Sequence, residues 1–232
     1  MEDIEQDQSY NINKLLKINT QISKGSEAYI YLGEFLNKQA IIKQRKPKVY
    51  RHPLLDEQLR LERLRLESRI LFTASLHNIP VPSILAIDPA NYLLILEYIE
   101  GKTLGEILLL KPEVNQKDTS NLFFHIGKLA GELHSSEIIH GDLTIYNILI
   151  TTANKLFIID FGLSFISHEI ENLAADLYTF ESTLKAFNPH NAQKWFLDFK
   201  TGYNESYIQA DDVFAQLETI LSRGRYVKRN LS

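Results

Sequence analysis

The residues of this chain best suited to chemistry are Asp142, Asn147 and Asp160, within His140-Gly141-Asp142-Leu143-Thr144-Ile145-Tyr146-Asn147 and Asp160-Phe161-Gly162. A loop carboxylate such as Asp142 accepts a proton from an attacking hydroxyl or orients a water. Five residues on, the amide oxygen of Asn147 is a hard donor for Mg²⁺, and the Asp160 carboxylate is another. A base beside two oxygen donors for a divalent ion is the equipment of phosphoryl transfer from ATP. An isolated Asp-Phe-Gly is usually a turn, and an isolated Asp-Leu a solvated loop. What separates the two fragments strengthens them: Ile148-Leu149-Ile150 and Leu156-Phe157-Ile158-Ile159 flank Thr151-Thr152-Ala153-Asn154-Lys155. That pattern predicts two strands joined by a turn, with Asn147 and Asp160 at the same end of the hairpin.

Other elements must bring a nucleotide to this loop. Ala40-Ile41-Ile42-Lys43 is similar to the Val-Ala-Ile-Lys strand of protein kinases, which sends an ammonium to the α/β-phosphates. Its counter-ion should come from the next helix. Leu54 to Phe72 has leucines at helical spacing and no internal Pro or Gly. Leu59, Leu66 and Ile70 are expected to form one apolar stripe and Leu64 and Leu71 another, with Glu67 between them. A carboxylate so flanked needs a partner, because burying an unpaired charge is expensive. Lys43 is the expected mate, and an i,i+4 pair with Arg63 is the alternative. Between β-prone runs, Ser23-Lys24-Gly25-Ser26-Glu27 reads as a phosphate-covering turn in which Gly25 lets the backbone approach closely. With one glycine it could equally be an ordinary hairpin turn. Tyr92 to Leu96 predicts a buried strand entering Glu97-Tyr98-Ile99-Glu100-Gly101, where Glu97 and Ile99 would offer backbone groups to an adenine edge. Gly101-Lys102-Thr103 resembles a Walker A ending only superficially, since Leu96 stands where that loop needs glycine.

Thr119 to His134 has Leu122, Ile126, Leu129 and Leu133 at the period of a core-facing helix. His134 is expected to pack or cap at its end, and His140 to be a buried structural ring bonded to nearby backbone. Helical patterns resume around Asn172 to Phe187 and Asp211 to Leu221. Asp176 either hydrogen-bonds the catalytic loop from below or is a surface helix acid. Apolar residues at 44% and charged residues at 23% are the balance of a soluble globular chain with an ample core. The absence of cysteine excludes disulfides and zinc-thiolate sites and fits a reducing compartment. The acidic start, Met1-Glu2-Asp3-Ile4-Glu5, lacks the layout of a secretory signal, and no apolar run approaches bilayer length. The expectation is an intracellular protein without membrane contact.

The net charge of −4 is unevenly spread. Cations outnumber acids between Lys43 and Arg69, and Arg223, Arg225, Lys228 and Arg229 make a basic tail. Such a tail is ordinarily a solvated, mobile terminus; its functional reading is a phosphate-seeking contact with nucleic acid or nucleotide.

Four pieces, in order, resemble the small atypical kinase subunit of the KEOPS/EKC complex, the PRPK-like family. They are the basic connector Lys46-Pro47-Lys48-Val49-Tyr50-Arg51-His52-Pro53 with Leu55-Asp56; Glu67-Ser68-Arg69-Ile70-Leu71; Ile139-His140-Gly141-Asp142-Leu143-Thr144 through Asn147; and Asp160-Phe161-Gly162-Leu163-Ser164. The resemblance implies an α+β, two-lobed protein-kinase-like fold with a β-rich N-lobe and a truncated helical C-lobe. Its boundaries would be an acidic lead-in at 1–17, the N-lobe at 18–96, a hinge at 97–101, the C-lobe at 102–222 and the basic tail at 223–232. It implies ATP and Mg²⁺ as cofactors, with Asp142 as base, Lys43 paired to Glu67, Gly25, Ser26, Lys43, Glu97 and Ile99 at the nucleotide, and Asn147 and Asp160 on the metal. It implies a kinase-fold subunit acting mainly as an ATPase and supporting threonylcarbamoyladenosine formation on tRNA. The partners would be KEOPS/EKC subunits, chiefly the threonylcarbamoyl-transferase (Kae/OSGEP-type) subunit, with tRNA reached by the basic tail. The location would be cytoplasmic, and also nuclear in a eukaryote.

Departures from ordinary protein kinases have chemical consequences. Gly141 replaces the loop arginine that reads an activation-loop phosphate, and Thr144 replaces a lysine. About a dozen residues separate Gly162 from Asp176, and no Ala-Pro-Glu follows. Transfer to external proteins should be poor, and ATP hydrolysis or self-phosphorylation more natural. Two other readings remain open. A small-molecule phosphotransferase of the aminoglycoside or choline kinase type shares the His-Gly-Asp loop but needs a larger C-lobe. A pseudokinase scaffold would have no need of the polar catalytic positions.

Overall fold

The computed structural model describes residues 15–24, 28–110 and 116–229. The chain divides into two compact units: residues 1–64 with 84–98, and residues 65–83 with 99–232. The expected α+β, two-lobed architecture is what these units build, one around a sheet and the other around helices.

The first unit holds β1 (Leu16–Lys24), β2 (Ala28–Phe35), β3 (Lys38–Arg45), the beginning of α1 (Pro53–Leu76), β4 (Ile84–Asp88) and β5 (Leu93–Glu97). The five strands form one antiparallel sheet in the order β1-β2-β3-β5-β4. Leu36 and Asn37, both at positive φ, turn β2 into β3, the backbone that a two-residue hairpin requires. Phe35, Ala40 and Ile95 make the buried centre of one face, with Leu16 and Ala86 packed against it. Residues directly opposite across a ladder share a face, so Lys43 shares the other face with its partners Ile30 and Leu94. β4 escaped the sequence reading because a five-residue run between prolines and a loop carries little periodic signal.

Helix α1 extends past the expected stretch at both ends. Its buried positions are Asp56, Leu64, Glu67, Ser68, Ile70, Leu71 and Ala74. That face corrects the anticipated stripe. Leu66 is 38% exposed and Leu59 only half-buried, because Glu67, one residue and about 100° further round, takes the inward position.

The second unit continues with β6 (Gly101–Thr103), α2 (Leu104–Leu110), α3 (Gln116–Ser135), β7 (Ile138–Ile139), β8 (Ile148–Thr151), β9 (Leu156–Ile158), β10 (Phe165–Ile166), α4 (Ile170–Phe187), α5 (Ala192–Ser206) and α6 (Ala210–Arg229). Gly101-Lys102-Thr103 pairs with β8 and opens a helix. Thr103 and Glu106 form a reciprocal cap, the Glu106 carboxylate accepting from Thr103 N–H at 2.7 Å and Thr103 Oγ1 accepting from Glu106 N–H at 3.2 Å. Helices α3 and α5 cross closely: a Cβ on Gly127 would collide with the Phe199 carbonyl, and one on Gly202 with that of Phe124. In backbone the basic tail continues α6 as far as Arg229. No helix among the described residues is long and apolar enough to cross a membrane.

Candidate active site

The hairpin forms as anticipated. Ile148 pairs with Ile158, Leu149 with Phe157 and Ile150 with Leu156. Thr151 N–H donates to Lys155 O at 3.0 Å across the turn, where Asn154 takes positive φ. One step below the ladder, Ile159 N–H donates to Asn147 O at 2.9 Å. Asn147 therefore stands opposite Ile159, beside Asp160. The Asn147 side-chain nitrogen donates to Asp142 O at 2.8 Å and to Asp142 Oδ2 at 3.1 Å. These bonds tie Asp142 to the amide and commit the nitrogen, leaving Oδ1 as the acceptor end. Asp160 sits at positive φ, and its Oδ1 accepts from Gly162 N–H at 3.3 Å. Hard oxygens on an amide and a carboxylate suit Mg²⁺, which is held by few protein groups together with phosphates and water. Among the described residues no group of three His, Cys, Asp or Glu could hold a metal unaided.

Beneath this loop lies a buried polar chain. Asp176 of α4, 2% exposed, accepts from His140 N–H at 2.6 Å and from Gly141 N–H at 2.8 Å. Of the two expectations for this residue, support from below is the one realised. His134 at the end of α3 bonds Asp176 Oδ2 through Nε2 at 3.3 Å and the Tyr203 hydroxyl through Nδ1 at 2.8 Å. The carboxylate can only accept, so Nε2 carries the proton and Nδ1 receives the phenol's. Burial, with Tyr207 and Asp176 nearby, holds the Tyr203 phenol well above the ordinary tyrosine pKa, which keeps it a donor. His140 is the structural ring expected: Nε2–H donates to Ile159 O at 3.0 Å, Nδ1 accepts from Asp142 N–H at 3.3 Å, and the ring packs on Phe161 at 4.9 Å.

Tyr203 and α5 went unread in the sequence. Phe196, Phe199 and Tyr203, at three- and four-residue spacing, were the available signal.

The remaining nucleotide candidates are distributed over both units. Lys43, in β3 of the first, is 7% exposed; Glu97, at the end of β5, has an exposed side chain. Glu67, in the part of α1 counted with the second unit, is 2% exposed, and Ile99 there is half-buried. Gly25 and Ser26 lie outside the described residues, as do the side chains of the tail beyond Arg223.

Known proteins extend this description. The protein kinase domain family matches residues 17–189. The chain is 33% identical to an EKC/KEOPS complex subunit bud32 from Dictyostelium discoideum over 220 residues, covering 94% of this chain and 87% of the relative. It is 33% identical to a KEOPS complex subunit Bud32 from Pyrococcus abyssi over 219 residues, 90% and 97% of the two chains. A probable bifunctional tRNA threonylcarbamoyladenosine biosynthesis protein from Methanosarcina barkeri is 35% identical over 216 residues, 91% of this chain. The chain spans only 36% of that protein's length. With a kinase-type loop and hairpin in place and near full-length relatives of this kind, the chain belongs to the protein kinase domain family and, within it, to the kinases of the KEOPS complex.

Proposed function

We propose that this chain is a Mg²⁺-ATP-dependent atypical serine/threonine kinase that turns over ATP chiefly by hydrolysis or self-phosphorylation, and that it supports threonylcarbamoyladenosine formation on tRNA as a KEOPS subunit. The observation that carries this reading is the side-chain bond from Asn147 to Asp142, one hairpin step from Asp160. It orders a base next to two hard oxygens. Asp142 orients the attacking water or hydroxyl and takes its proton at a carboxylate oxygen. Asn147 Oδ1 and the Asp160 carboxylate would hold the metal; when bound, Mg²⁺ neutralises charge on the β- and γ-phosphates. Lys43 takes the α/β-phosphates, with Glu67 as its counter-ion. That pairing rests on the sequence pattern. Backbone groups of Glu97 and Ile99 read the adenine edge, and Gly25 and Ser26 cover the phosphates; those roles rest on the sequence pattern.

The names of the relatives support assembly into a multi-subunit complex. The threonylcarbamoyl-transferase subunit is the partner proposed, tRNA contact by the basic end of α6 is part of the same proposal, and the location is cytoplasmic, or also nuclear in a eukaryote. The test is phosphate release from ATP by purified Asp142→Ala and Lys43→Ala chains with native far-UV circular dichroism. Removal of the base is expected to slow turnover by about 10²- to 10⁴-fold, and a Mg²⁺ chelator should silence the parent chain. Undiminished release by both variants overturns the assignment and favours a scaffold.

A further inference from the structure

Beside the crossing of α3 and α5, where Gly202 meets the Phe124 carbonyl, the two helices leave a cleft of about 530 Å³. Asp118, Ser120, Asn121 and Phe124 of α3 line it, with Asp198 and Thr201 of α5. The phosphoryl-transfer chemistry uses none of them. Asp118, Asn121 and Phe124 recur every three residues on α3, and Asp198 and Thr201 keep the same interval on α5, so each helix turns one stripe toward the cleft. Asp118 needs no ligand to explain it, because an acid in the first turn of a helix is favoured by the free N–H groups there. Asp198 has no such reason for its place. It lies in the middle of α5, only partly exposed, and its Oδ2 is buried without a hydrogen-bond partner. Among the described residues no cation pairs with it, although Lys194 stands four positions before it on the same helix. The Thr201 hydroxyl donates to Leu197 O at 3.0 Å, so toward the cleft its oxygen can only accept. The cleft therefore offers carboxylates, further acceptors and an aromatic ring, and what it lacks is a positively charged donor.

That shortage selects the ligand. Two carboxylates repel an anion, and an apolar guest would strand them. A bare divalent ion fits poorly, because among the described residues no group of three His, Cys, Asp or Glu could hold one. The volume is that of a small-molecule site. An ammonium on an alkyl chain answers each feature: its N–H groups donate to carboxylates, its charge is drawn to the face of a ring, and its methylenes cover apolar surface. One acid comes from each helix, which favours a ligand charged at both ends.

We propose that the cleft between α3 and α5 is a binding site for an aliphatic diamine or polyamine, held between Asp118 and Asp198 against the Phe124 ring.

The experiment is a calorimetric titration of the full chain, free of nucleotide and nucleic acid and at physiological ionic strength, with putrescine, spermidine, n-butylamine and MgCl₂. Spermidine and putrescine should bind saturably at a single site, butylamine more weakly than either, and Mg²⁺ should not displace them. Asp198→Asn should weaken spermidine about 10- to 100-fold, the loss of a charge-assisted hydrogen bond. Asp118→Asn, at an exposed position, and Phe124→Leu should each weaken it about two- to fivefold. Asp198→Asn gives a second readout. Without amine it should melt no lower than the parent chain, since it removes the unsatisfied carboxylate, and on addition of spermidine only the parent should gain in melting temperature. If Asp198→Asn does not fold, the double variant Asp118→Asn/Phe124→Leu decides. Absence of saturable spermidine binding, or binding that the folded variants leave unchanged, overturns the site. Displacement of spermidine by Mg²⁺ that depends on Asp198 overturns the amine and makes the cleft a metal site. ATP turnover enters none of these readouts, so the outcome is independent of the role assigned to Asp142.

Discussion

Two buried carboxylates organise two loops of this molecule, and they do so with different partners. Asp176 in α4 and Asp56 in α1 are both 2% exposed. Asp176 gathers two backbone N–H groups of the catalytic loop and the His134 ring. Asp56 gathers cations around the basic connector. Its Oδ1 accepts from Lys48 N–H at 3.1 Å and lies 3.6 Å from Arg51, while Arg60 Nε donates to Oδ2 at 2.8 Å. Arg60 also stacks over the Tyr92 ring at 3.8 Å, and the Tyr92 hydroxyl donates to Glu57 at 3.0 Å. The difference lies in what remains when the acid is removed. Arginines whose side chains are 17% exposed can turn to water, but the N–H of the fully buried His140 has no such recourse, and a stranded buried donor is expensive. One acid is thus indispensable to a site, and the other shapes a surface.

The comparison is most directly broken by Asp176→Ala. A stranded His140 N–H, with Gly141 N–H and the His134 ring losing the same acceptor, should cost about 3 kcal/mol of stability, seen as a lower urea midpoint, together with a collapse of ATP turnover. Asp56→Ala should cost less, about 1–2 kcal/mol, with faster proteolysis confined to residues 46–52. Equal losses from the two variants would erase the distinction between backbone donors and arginine partners. Tyr203→Phe sharpens it further: His134 Nδ1 loses its donor, for about 1 kcal/mol, and catalysis should fall only modestly.

The last effect is in pH. The Tyr203 phenol is raised by burial above its unfolded value near 10. The unfolded chain therefore releases this proton first. The contribution is fully present below about pH 10 and is lost above it at about 1.4 kcal/mol per pH unit. The stability difference between the parent chain and Tyr203→Phe should shrink as pH rises from 10 to 11; a constant difference would place the phenol in solvent-like surroundings.

Much of the site was legible because it is local. The Asn147–Asp160 relation follows from a hairpin whose strands, turn and spacing are contiguous in the chain. The role of Asp176 was legible only as one of two options, since nothing in Asp176-Leu177-Tyr178 says which way the helix faces. Tyr203 and the cleft beside Phe124 were out of reach for a related reason. They depend on α5 crossing α3 at backbone distance, a contact between segments that carry no mark of each other. Leu66 is the instructive error: Glu67 is buried between apolar neighbours as its position in the pattern predicted, but the inward face centres on Glu67, Leu64 and Leu71 and leaves Leu66 at its edge.

The order of residues along the polymer was enough to nominate the chemistry: which side chains are candidate bases, which are candidate hard donors, and which short turns set them a few ångströms apart. Packing settled which polar groups lie inside and what satisfies them there. Burial is a property of the assembled molecule, and a donor or carboxylate acquires its cost, and so its function as a support, only once water has been removed from around it.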